Sequence, residues 1–252
     1  MLRFFEKEQD SLLFRGNGEL LALTPWGKNG LRVRSVFQGE LKEGSAALLE
    51  APSGEVHIAM GEREASIQNG DLTAKLYIDG WGDTLQISYY NQNGKLLLRE
   101  ISNGGALIRK ARYFRPLPGG GYELKVSFES DPEEKIYGMG QYQQEIFNLK
   151  GCNLELAHRN SQASIPFYLS SKGYGFLWHN PAIGEVHFGS NTTEWTARAT
   201  EQMDYWICAG DSPAQIEEQY TEVTGRSPMM PEYGLGFWQC KLRYYNQKEV
   251  LD

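Results

Sequence analysis

Alternation of apolar and polar residues dominates the first 210 residues of this 252-residue chain. In residues 122–128 every second side chain is apolar, and a glutamate, a lysine and a serine stand between them. Successive side chains of a β-strand point to opposite faces, so this spacing predicts a strand with one buried and one exposed face. With 12% aromatic residues and 28 glycines, the composition fits a turn-rich globular chain and excludes a disordered, collagen-like or coiled-coil protein.

Turn signals separate these alternating segments. Asn69-Gly70 and Asn93-Gly94 each lie between two such segments, and Asn-Gly tolerates the positive φ angles of a tight hairpin, so both predict antiparallel pairs. Further strands are expected at residues 31–37, 54–60, 165–170, 176–180, 186–188, 194–200 and 203–209. A dozen or more strands with almost no helix predict an all-β fold, a large antiparallel β-sandwich.

One helix is predicted near the end of this region. Ser212 is placed as its N-cap, Pro213 at its first position, Gln215 three residues after the cap and Gly225 just beyond its end. Apolar residues at i, i+4 and i+7 form the face that is expected to dock on the sandwich: Ile216, Tyr220 and Val223.

The pattern changes after this helix. A proline-rich linker at residues 226–233 is followed by an apolar run at 235–240, which is typical of a strand buried on both faces of a parallel sheet, and by the opening of a helix at 246–252. One strand and part of a helix cannot bury a core of their own. We therefore expect a sandwich domain over 1–225, and over 234–252 the truncated start of a second domain belonging to a longer protein.

Composition also narrows the partners and the location. The chain carries 25 basic and 32 acidic residues, a net charge of −7, which argues against nucleic acid as a partner. Its three cysteines show no Cys-x-x-Cys spacing, so no metal or cofactor is expected. No apolar run approaches the roughly 18 residues of a membrane span, and charge appears too early for a signal peptide. The expected location is the cytoplasm, with no membrane partner.

The sequence assigns no catalytic residue within the chain. The glycine-rich residues 138–141 lack the Gly-Lys-Ser/Thr that a phosphate-binding loop requires, and no Gly-x-Ser-x-Gly or Cys-His arrangement indicates a nucleophile. No pair of carboxylates is placed for acid–base work. The four histidines are isolated and are interpreted as surface or hydrogen-bonded residues: His57, His158, His179 and His187.

Candidate binding residues lie where amides, a guanidinium and aromatics crowd together, between residues 136 and 180. Arg159, Asn160 and Gln162 are expected in a long loop that precedes the strand at 165–170. Planar donors beside aromatic faces suit sugars, whose hydroxyls donate and accept while the ring packs on aromatic carbon. The alternative is that the amides cap turns and the aromatics belong to the core.

Several motifs in this half of the chain resemble one family. They are, in chain order, Ile-Tyr-Gly-Met-Gly-Gln at 136–141, Asn-Leu-Lys-Gly at 148–151, Ile-Pro-Phe-Tyr-Leu-Ser-Ser-Lys-Gly-Tyr-Gly at 165–175 with Trp178 and Asn180, Asp-Ser-Pro at 211–213, Thr-Gly-Arg at 224–226 and Gly-Phe-Trp-Gln at 236–239 with Arg243 and Tyr244. Together they are similar to glycoside hydrolase family 31, which contains α-glucosidases and α-xylosidases. The sequences of these motifs resemble the bacterial α-xylosidase-like members more than the animal enzymes of the family. The resemblance covers residues 136–252, whereas residues 1–135 show only the alternating pattern that predicts strands.

This resemblance implies a galactose-mutarotase-like β-sandwich that leads into a (β/α)8 barrel. Members retain anomeric configuration with two aspartates on later barrel strands, which would lie beyond residue 252, so the chain alone is expected to be inactive. Residues 158–162 occupy the place of a family loop that touches the leaving-group sugar, although the family's frequent Asn-x-Asp is replaced here by Arg-Asn-x-Gln. Trp238 and Arg243 would face the pocket from the end of the first barrel strand, with a core role for Trp238 as the alternative.

Two hypotheses from different classes follow. The first is the N-terminal part of a retaining α-glycosidase that cleaves terminal α-xylosides or α-glucosides, with an oligosaccharide or α-glycoside as its partner. The second is a self-sufficient carbohydrate-binding sandwich. Epimerisation of free sugars, which the mutarotase-like fold suggests, lacks a His and Glu pair placed for ring opening. A homo-oligomer is compatible with the sequence, and the choice of glycoside is left open.

Overall fold

The computed structural model describes residues 4–44, 47–80, 84–101, 110–238 and 246–251. These residues form β1 (Phe5–Glu8), β2 (Ser11–Gly16), β3 (Glu19–Pro25), β4 (Gly30–Phe37), β5 (Val56–Met60), β6 (Glu64–Asn69), β7 (Leu72–Ile78), β8 (Leu85–Tyr90), β9 (Leu96–Arg99), β10 (Arg112–Pro116), β11 (Tyr122–Glu129), β12 (Ile136–Gln141), β13 (Asn153–Leu156), β14 (Ala163–Ser170), β15 (Tyr174–Trp178), β16 (Gly184–Phe188), β17 (Thr192–Thr200), β18 (Met203–Ala209), α1 (Pro213–Thr224), a 3-10 helix (Glu232–Leu235) and α2 (Gln247–Leu251). The all-β prediction is confirmed.

Three antiparallel sheets organise these strands. The largest has eight strands in the order β1-β2-β3-β4-β18-β15-β14-β12, a second has the order β10-β11-β17-β16-β13, and a third has the order β5-β6-β7-β8-β9. An isolated bridge between Glu100 and Phe128 links the edges of the two smaller sheets. The two smaller sheets thereby form one layer of the sandwich, opposite the eight-stranded sheet.

One aromatic core lies between the layers. The ring of Phe128 on β11 contacts Phe176 on β15 with centroids 5.6 Å apart, and Trp195 on β17 lies 5.3 Å from the same Phe176. These three side chains are fully buried. Aromatic residues bury large apolar areas, so this part of the core holds the two layers face to face.

The predicted hairpins and the predicted helix are both observed. Asn69-Gly70 joins β6 to β7 with φ of 55° at the glycine, and Asn93-Gly94 joins β8 to β9 with φ of 71°. The Ser212 hydroxyl accepts the backbone N–H of Gln215 at 3.3 Å and caps α1. Helix α1 covers the outer face of the eight-stranded sheet through a second apolar cluster of Ile216, Val223, Phe167, Leu177, Trp206 and Cys208. As a result, β15 and β18 are buried on both faces.

A buried ion-pair network connects all three sheets. Arg112 at the start of β10 donates from Nε to Glu19 of β3 at 2.6 Å and from Nη1 to Glu100, just after β9. The Glu100 side chain is fully buried, and it also accepts the backbone N–H of Ile87 at 2.9 Å. Burial raises the pKa of Glu100, while Arg112 acts in the opposite direction. Three sheets are therefore tied at one point by a paired, hydrogen-bonded charge.

The C-terminal segment differs from its sequence prediction. A strand was expected at 235–240, but Leu235 ends the 3-10 helix and residues 236–238 have no regular structure, while 239–245 lie outside the described residues. A parallel strand needs neighbours for its backbone groups, and the described residues provide none here. Helix α2 starts where a helix was expected. The division into a sandwich, a linker at 226–233 and a barrel start at 234–252 stays a prediction.

Candidate functional site

The predicted binding residues lie together at the tip of a short hairpin, which a bridge between Arg159 and Gln162 closes in the connection from β13 to β14, two strands of different sheets. Arg159 and Gln162 exchange backbone hydrogen bonds of 3.3 Å and 3.1 Å, with Asn160 and Ser161 as the two turn residues. Ser161 adopts the left-handed region with φ of 65°. A two-residue turn therefore displays Arg159, Asn160 and Gln162 side by side.

The loop before β14 is shorter than expected, because β13 forms where part of that loop was placed. Leu154 and Leu156 are buried and alternate with more exposed residues, so β13 forms and pairs with β16, Asn153 opposite His187. This short Asn-Leu-Glu-Leu run carries a period-2 signal over only four residues, which is why its strand character was missed. The correction matters because a hairpin fixes the direction of the tip, whereas a long loop would not.

The guanidinium of Arg159 is held by a carboxylate on the same hairpin. Its Nε donates to Glu155 Oε2 at 3.1 Å, and its Nη2 donates to Oε1 at 2.6 Å. The two side chains remain 58% and 34% exposed. Hydrogen bonding to Arg159 lowers the pKa of Glu155 and raises that of the arginine. Glu155 was not predicted as a site residue, although it stands four residues before Arg159.

The other two residues at the tip, Gln162 and Asn160, differ in burial and in hydrogen bonding. Gln162 is half-buried, and its side-chain amide donates to the carbonyl of Ala157 at 3.1 Å. Asn160 is exposed. Below the tip, Nδ1 of His158 accepts the backbone N–H of Ser164 at 3.3 Å. These bonds stiffen the turn from within.

An open cleft of about 470 Å³ lies beside the hairpin. Its wall combines β12 with the segment that leads to β13, and its polar side chains belong to Gln141, Tyr142, Gln144 and Asn153. The Tyr142 hydroxyl donates to the carbonyl of Glu155 at 2.8 Å, which ties this wall to the hairpin. Burial raises the pKa of Tyr142, so the hydroxyl stays neutral and able to donate.

An exposed aromatic ring on the segment after β12 contacts a half-buried tyrosine of that strand. Phe147 is 84% exposed, and its ring lies 4.8 Å from the ring of Tyr137. Exposed rings beside planar amides can pack against the C–H face of a sugar. Phe147 was not predicted as a site residue, because nothing in its sequence neighbours distinguishes it from a core residue.

Polar groups hold both ends of this segment, a buried carboxylate at Glu134 and an exposed amide at Asn148. The carboxylate of Glu134 accepts the Tyr174 hydroxyl at 2.7 Å and the Lys150 ammonium at 3.4 Å. Asn148 accepts the backbone N–H groups of Ile136 and Lys150 at 3.0 Å and 3.2 Å. For Asn148 the alternative interpretation of the amides as turn caps therefore holds. These hydrogen bonds fix the two ends of the segment that carries Phe147.

The edge strand β12 has an unusual backbone next to the cleft. Gly138, Met139 and Gly140 all have positive φ, and the pairing with β14 shifts register between the two glycines. A Cβ at Gly140 would lie 2.3 Å from the carbonyl oxygen of Ala163, so only glycine fits. This bulge turns Met139 fully into the core. The glycine cluster is thus a bulge in a strand.

The two remaining predicted site residues lie elsewhere or outside the description. Trp238 is 73% exposed on the C-terminal segment, and its indole N–H donates to the carbonyl of Gly234 at 2.9 Å. Within the described residues this side chain does not belong to a core, and its place in the full-length protein stays a prediction. Arg243 lies outside the described residues. The structure brings Arg159, Asn160 and Gln162 together and does not test the pocket role of the other two.

This arrangement of side chains is suited to binding a ligand. Donors, acceptors and an exposed ring lie around the cleft and the tip, and the tip's single carboxylate is occupied by Arg159. Among the residues that the structure describes, no group of three or more potential ligands could hold a metal ion. Within that same part of the chain no helix is long and apolar enough to cross a bilayer.

Comparison with known proteins identifies the family. A model described as the glycosyl hydrolase 31 N-terminal galactose mutarotase-like domain matches residues 21–186, more than half of the chain. The chain belongs to glycoside hydrolase family 31. The resemblance drawn from the motifs is confirmed, and so is the mutarotase-like sandwich.

Relatives within family 31 match nearly the whole chain. An uncharacterized family 31 glucosidase from Pseudescherichia vulneris is 47% identical over 96% of this chain and 48% of its own length. Alpha-xylosidase A of Aspergillus niger is 30% identical over 98% of this chain and 36% of its own. The crystal structure of a family 31 α-xylosidase from a soil metagenome, complexed with xylose, superposes with a TM-score of 0.90 at 49% identity, over 98% of this chain and 38% of that one. The chain therefore spans less than half the length of these family 31 proteins.

Proposed function

We propose that the protein to which this chain belongs is a retaining α-glycosidase that hydrolyses terminal α-xylosides or α-glucosides. The observation that carries the proposal is the rigid hairpin tip with Arg159, Asn160 and Gln162, set in a family 31 sandwich. The similarity to proteins named α-xylosidase, one of them complexed with xylose, supports this substrate class.

In this proposal the chain supplies recognition and the rest of the protein supplies the reaction. The hairpin tip contacts the leaving-group sugar, and Trp238 and Arg243 line the pocket from the side of the barrel. Retaining hydrolysis needs two carboxyl groups about 5–5.5 Å apart, one as nucleophile and one as acid/base. No carboxylate of the hairpin is free for that work, since Glu155 is bound by Arg159. The two catalytic aspartates are accordingly proposed to lie beyond residue 252.

The test compares the full-length protein with this chain alone. The full-length protein is expected to cleave 4-nitrophenyl α-xyloside or α-glucoside and to release the sugar first as its α-anomer, which NMR of the fresh product detects. Residues 1–252 alone are expected to release no nitrophenol above a matched blank, because both carboxylates are missing. A β-anomer as first product, or sustained turnover by this chain alone, would contradict the proposal.

A self-sufficient carbohydrate-binding module is the second candidate. The exposed ring of Phe147 beside the 470 Å³ cleft favours it, because an aromatic face with planar amides suits a sugar. Titration of residues 1–252 with xylo- and gluco-oligosaccharides, with Phe147→Ala as the variant and Tyr113→Ala as an exposed control on β10, separates the two functions. Tight binding by this chain, lost in Phe147→Ala, together with no hydrolysis by the full-length protein, would favour the module.

A further inference from the structure

The arginine at the hairpin tip is not a free cation. Glu155 binds the edge of the Arg159 guanidinium formed by Nε and Nη2, with distances of 3.1 Å and 2.6 Å. Nη1 makes no hydrogen bond within the described residues, so its two N–H groups and the second N–H of Nη2 are left for a ligand. A bidentate pair fixes the plane of the guanidinium and so the direction in which Nη1 points.

The strand next to the hairpin places a second glutamate opposite Glu155. Glu155 on β13 lies directly opposite Glu185 on β16 in the register of the sheet. Like charges at directly opposed positions of an antiparallel pair repel. Each glutamate has its own arginine, because Arg198 donates to Glu185 at 3.3 Å on one side and Arg159 binds Glu155 on the other. Four charges therefore lie in two neutral pairs on one exposed sheet face.

We propose that Glu155 is a positioning residue that orients Arg159 and cancels its charge, so that the hairpin tip accepts a neutral leaving-group sugar and discriminates against an acidic one. This inference rests on the proposed function, since it names the class of sugar that the same tip receives. A sugar hydroxyl needs a single directed donor, which Nη1 supplies. A sugar carboxylate that approached the remaining Nη1 and Nη2 donors would be repelled by the charge of Glu155, which offsets the attraction of the arginine.

A tip in which Glu155 pairs with Arg159 and a tip without this glutamate predict opposite selectivity between neutral and acidic sugars. A guanidinium without a partner is the residue type best suited to bind a carboxylate through two parallel hydrogen bonds. If Glu155 were absent, the tip would therefore gain an attraction for uronic acids. Because the site is exposed and screened by salt, the change in selectivity is expected to be modest, about threefold to thirtyfold.

The test uses the full-length protein and two α-xylosyl disaccharides that differ only at C6 of the leaving sugar, a hydroxymethyl group in one and a carboxylate in the other. The variant is Glu155→Gln, which keeps the shape and removes the charge. Each kcat/KM is divided by that for 4-nitrophenyl α-xyloside, which has no leaving-group sugar. We expect the acidic-to-neutral ratio to rise about threefold to thirtyfold, and to do so less at high salt.

The chain offers a matched control in Glu123→Gln, which removes the same charge from an exposed pair with Arg115 on strands away from the tip. This control is expected to leave the ratio unchanged. A ratio that stays constant in Glu155→Gln, or that rises equally in both variants, overturns the inference while normal hydrolysis of the aryl substrate leaves the proposed function standing. A wild-type protein that hydrolyses none of the three substrates overturns both.

Discussion

Two arginine–glutamate clusters in this molecule contain the same chemical groups but have different roles. Around Arg112 the carboxylates of Glu19 and Glu100 are enclosed by three sheets, and the arginine side chain is almost fully buried. Around Arg159 the single carboxylate of Glu155 shares an exposed turn. Burial decides the difference: an enclosed charge must be paired for the fold to form, whereas an exposed pair adds little stability and leaves a donor for a ligand.

The largest effect is expected from breaking the buried cluster. Arg112→Ala leaves Glu100 buried without its cation, and loss of one partner of a buried pair costs about 3–5 kcal/mol of the free energy of unfolding. Urea unfolding of residues 1–252 measures it. The matched control on the same strand is Arg115→Ala, which removes an exposed partner of Glu123. Similar losses in both variants would show that burial does not separate the two kinds of pair.

The next largest effect is expected on the pH dependence of stability, and it comes from two buried tyrosines near this cluster. The hydroxyls of Tyr89 and Tyr205 share a hydrogen bond of 2.6 Å in the core, and burial raises the pKa of both. A folded-state pKa above the unfolded value of about 10 gives stability that is present below pH 10 and lost as pH rises above it. Each such group steepens the loss by up to about 1.4 kcal/mol per pH unit.

Tyr89→Phe removes one of these two titrating groups. The variant is expected to lose about 1–3 kcal/mol at neutral pH, because the Tyr205 hydroxyl loses its partner, and to show a shallower decline above pH 10. Urea unfolding at several pH values measures both quantities. Tyr113→Phe, on an exposed tyrosine, serves as the control. An unchanged alkaline slope in Tyr89→Phe would mean that this pair does not govern the response to pH.

Local signals explain what could be predicted from the sequence. The Asn-Gly turns fix two hairpins, and the cap at Ser212 with the stop at Gly225 fixes α1, because each depends on a few adjacent residues. Strand β12 was missed because its positive φ angles at Gly138 and Gly140 belong to a bulge that only the pairing with β14 reveals.

The ion pairs depend on tertiary structure, which local signals do not contain. Glu19 and Arg112 are 93 residues apart in the chain, and no periodicity connects them. The candidate site was predicted in part. Arg159, Asn160 and Gln162 were found through their residue types, but the role of Glu155 follows only from the bend of the hairpin.

The exposed pair is expected to show the smallest effect on stability. Arg159→Ala removes a guanidinium from an exposed turn and leaves Glu155 facing Glu185 across a well-hydrated sheet edge. The midpoint of thermal unfolding should therefore match that of the wild type within experimental error. The double variant Arg159→Ala/Glu155→Ala removes any residual repulsion and is the control. A clear fall in the midpoint that the double variant does not restore would give Arg159 a structural role.

The central claim, that the exposed cluster is free to serve a ligand, is tested most directly by kinetics of Arg159→Ala in the full-length protein. The measurement is kcat/KM for an α-xylosyl disaccharide and for 4-nitrophenyl α-xyloside, on wild type and variant. Loss of a charged donor to a sugar hydroxyl predicts a fall of about tenfold to a hundredfold for the disaccharide, with the aryl substrate almost unaffected. An equal fall for both substrates, or no fall with a lower melting temperature, would contradict the account.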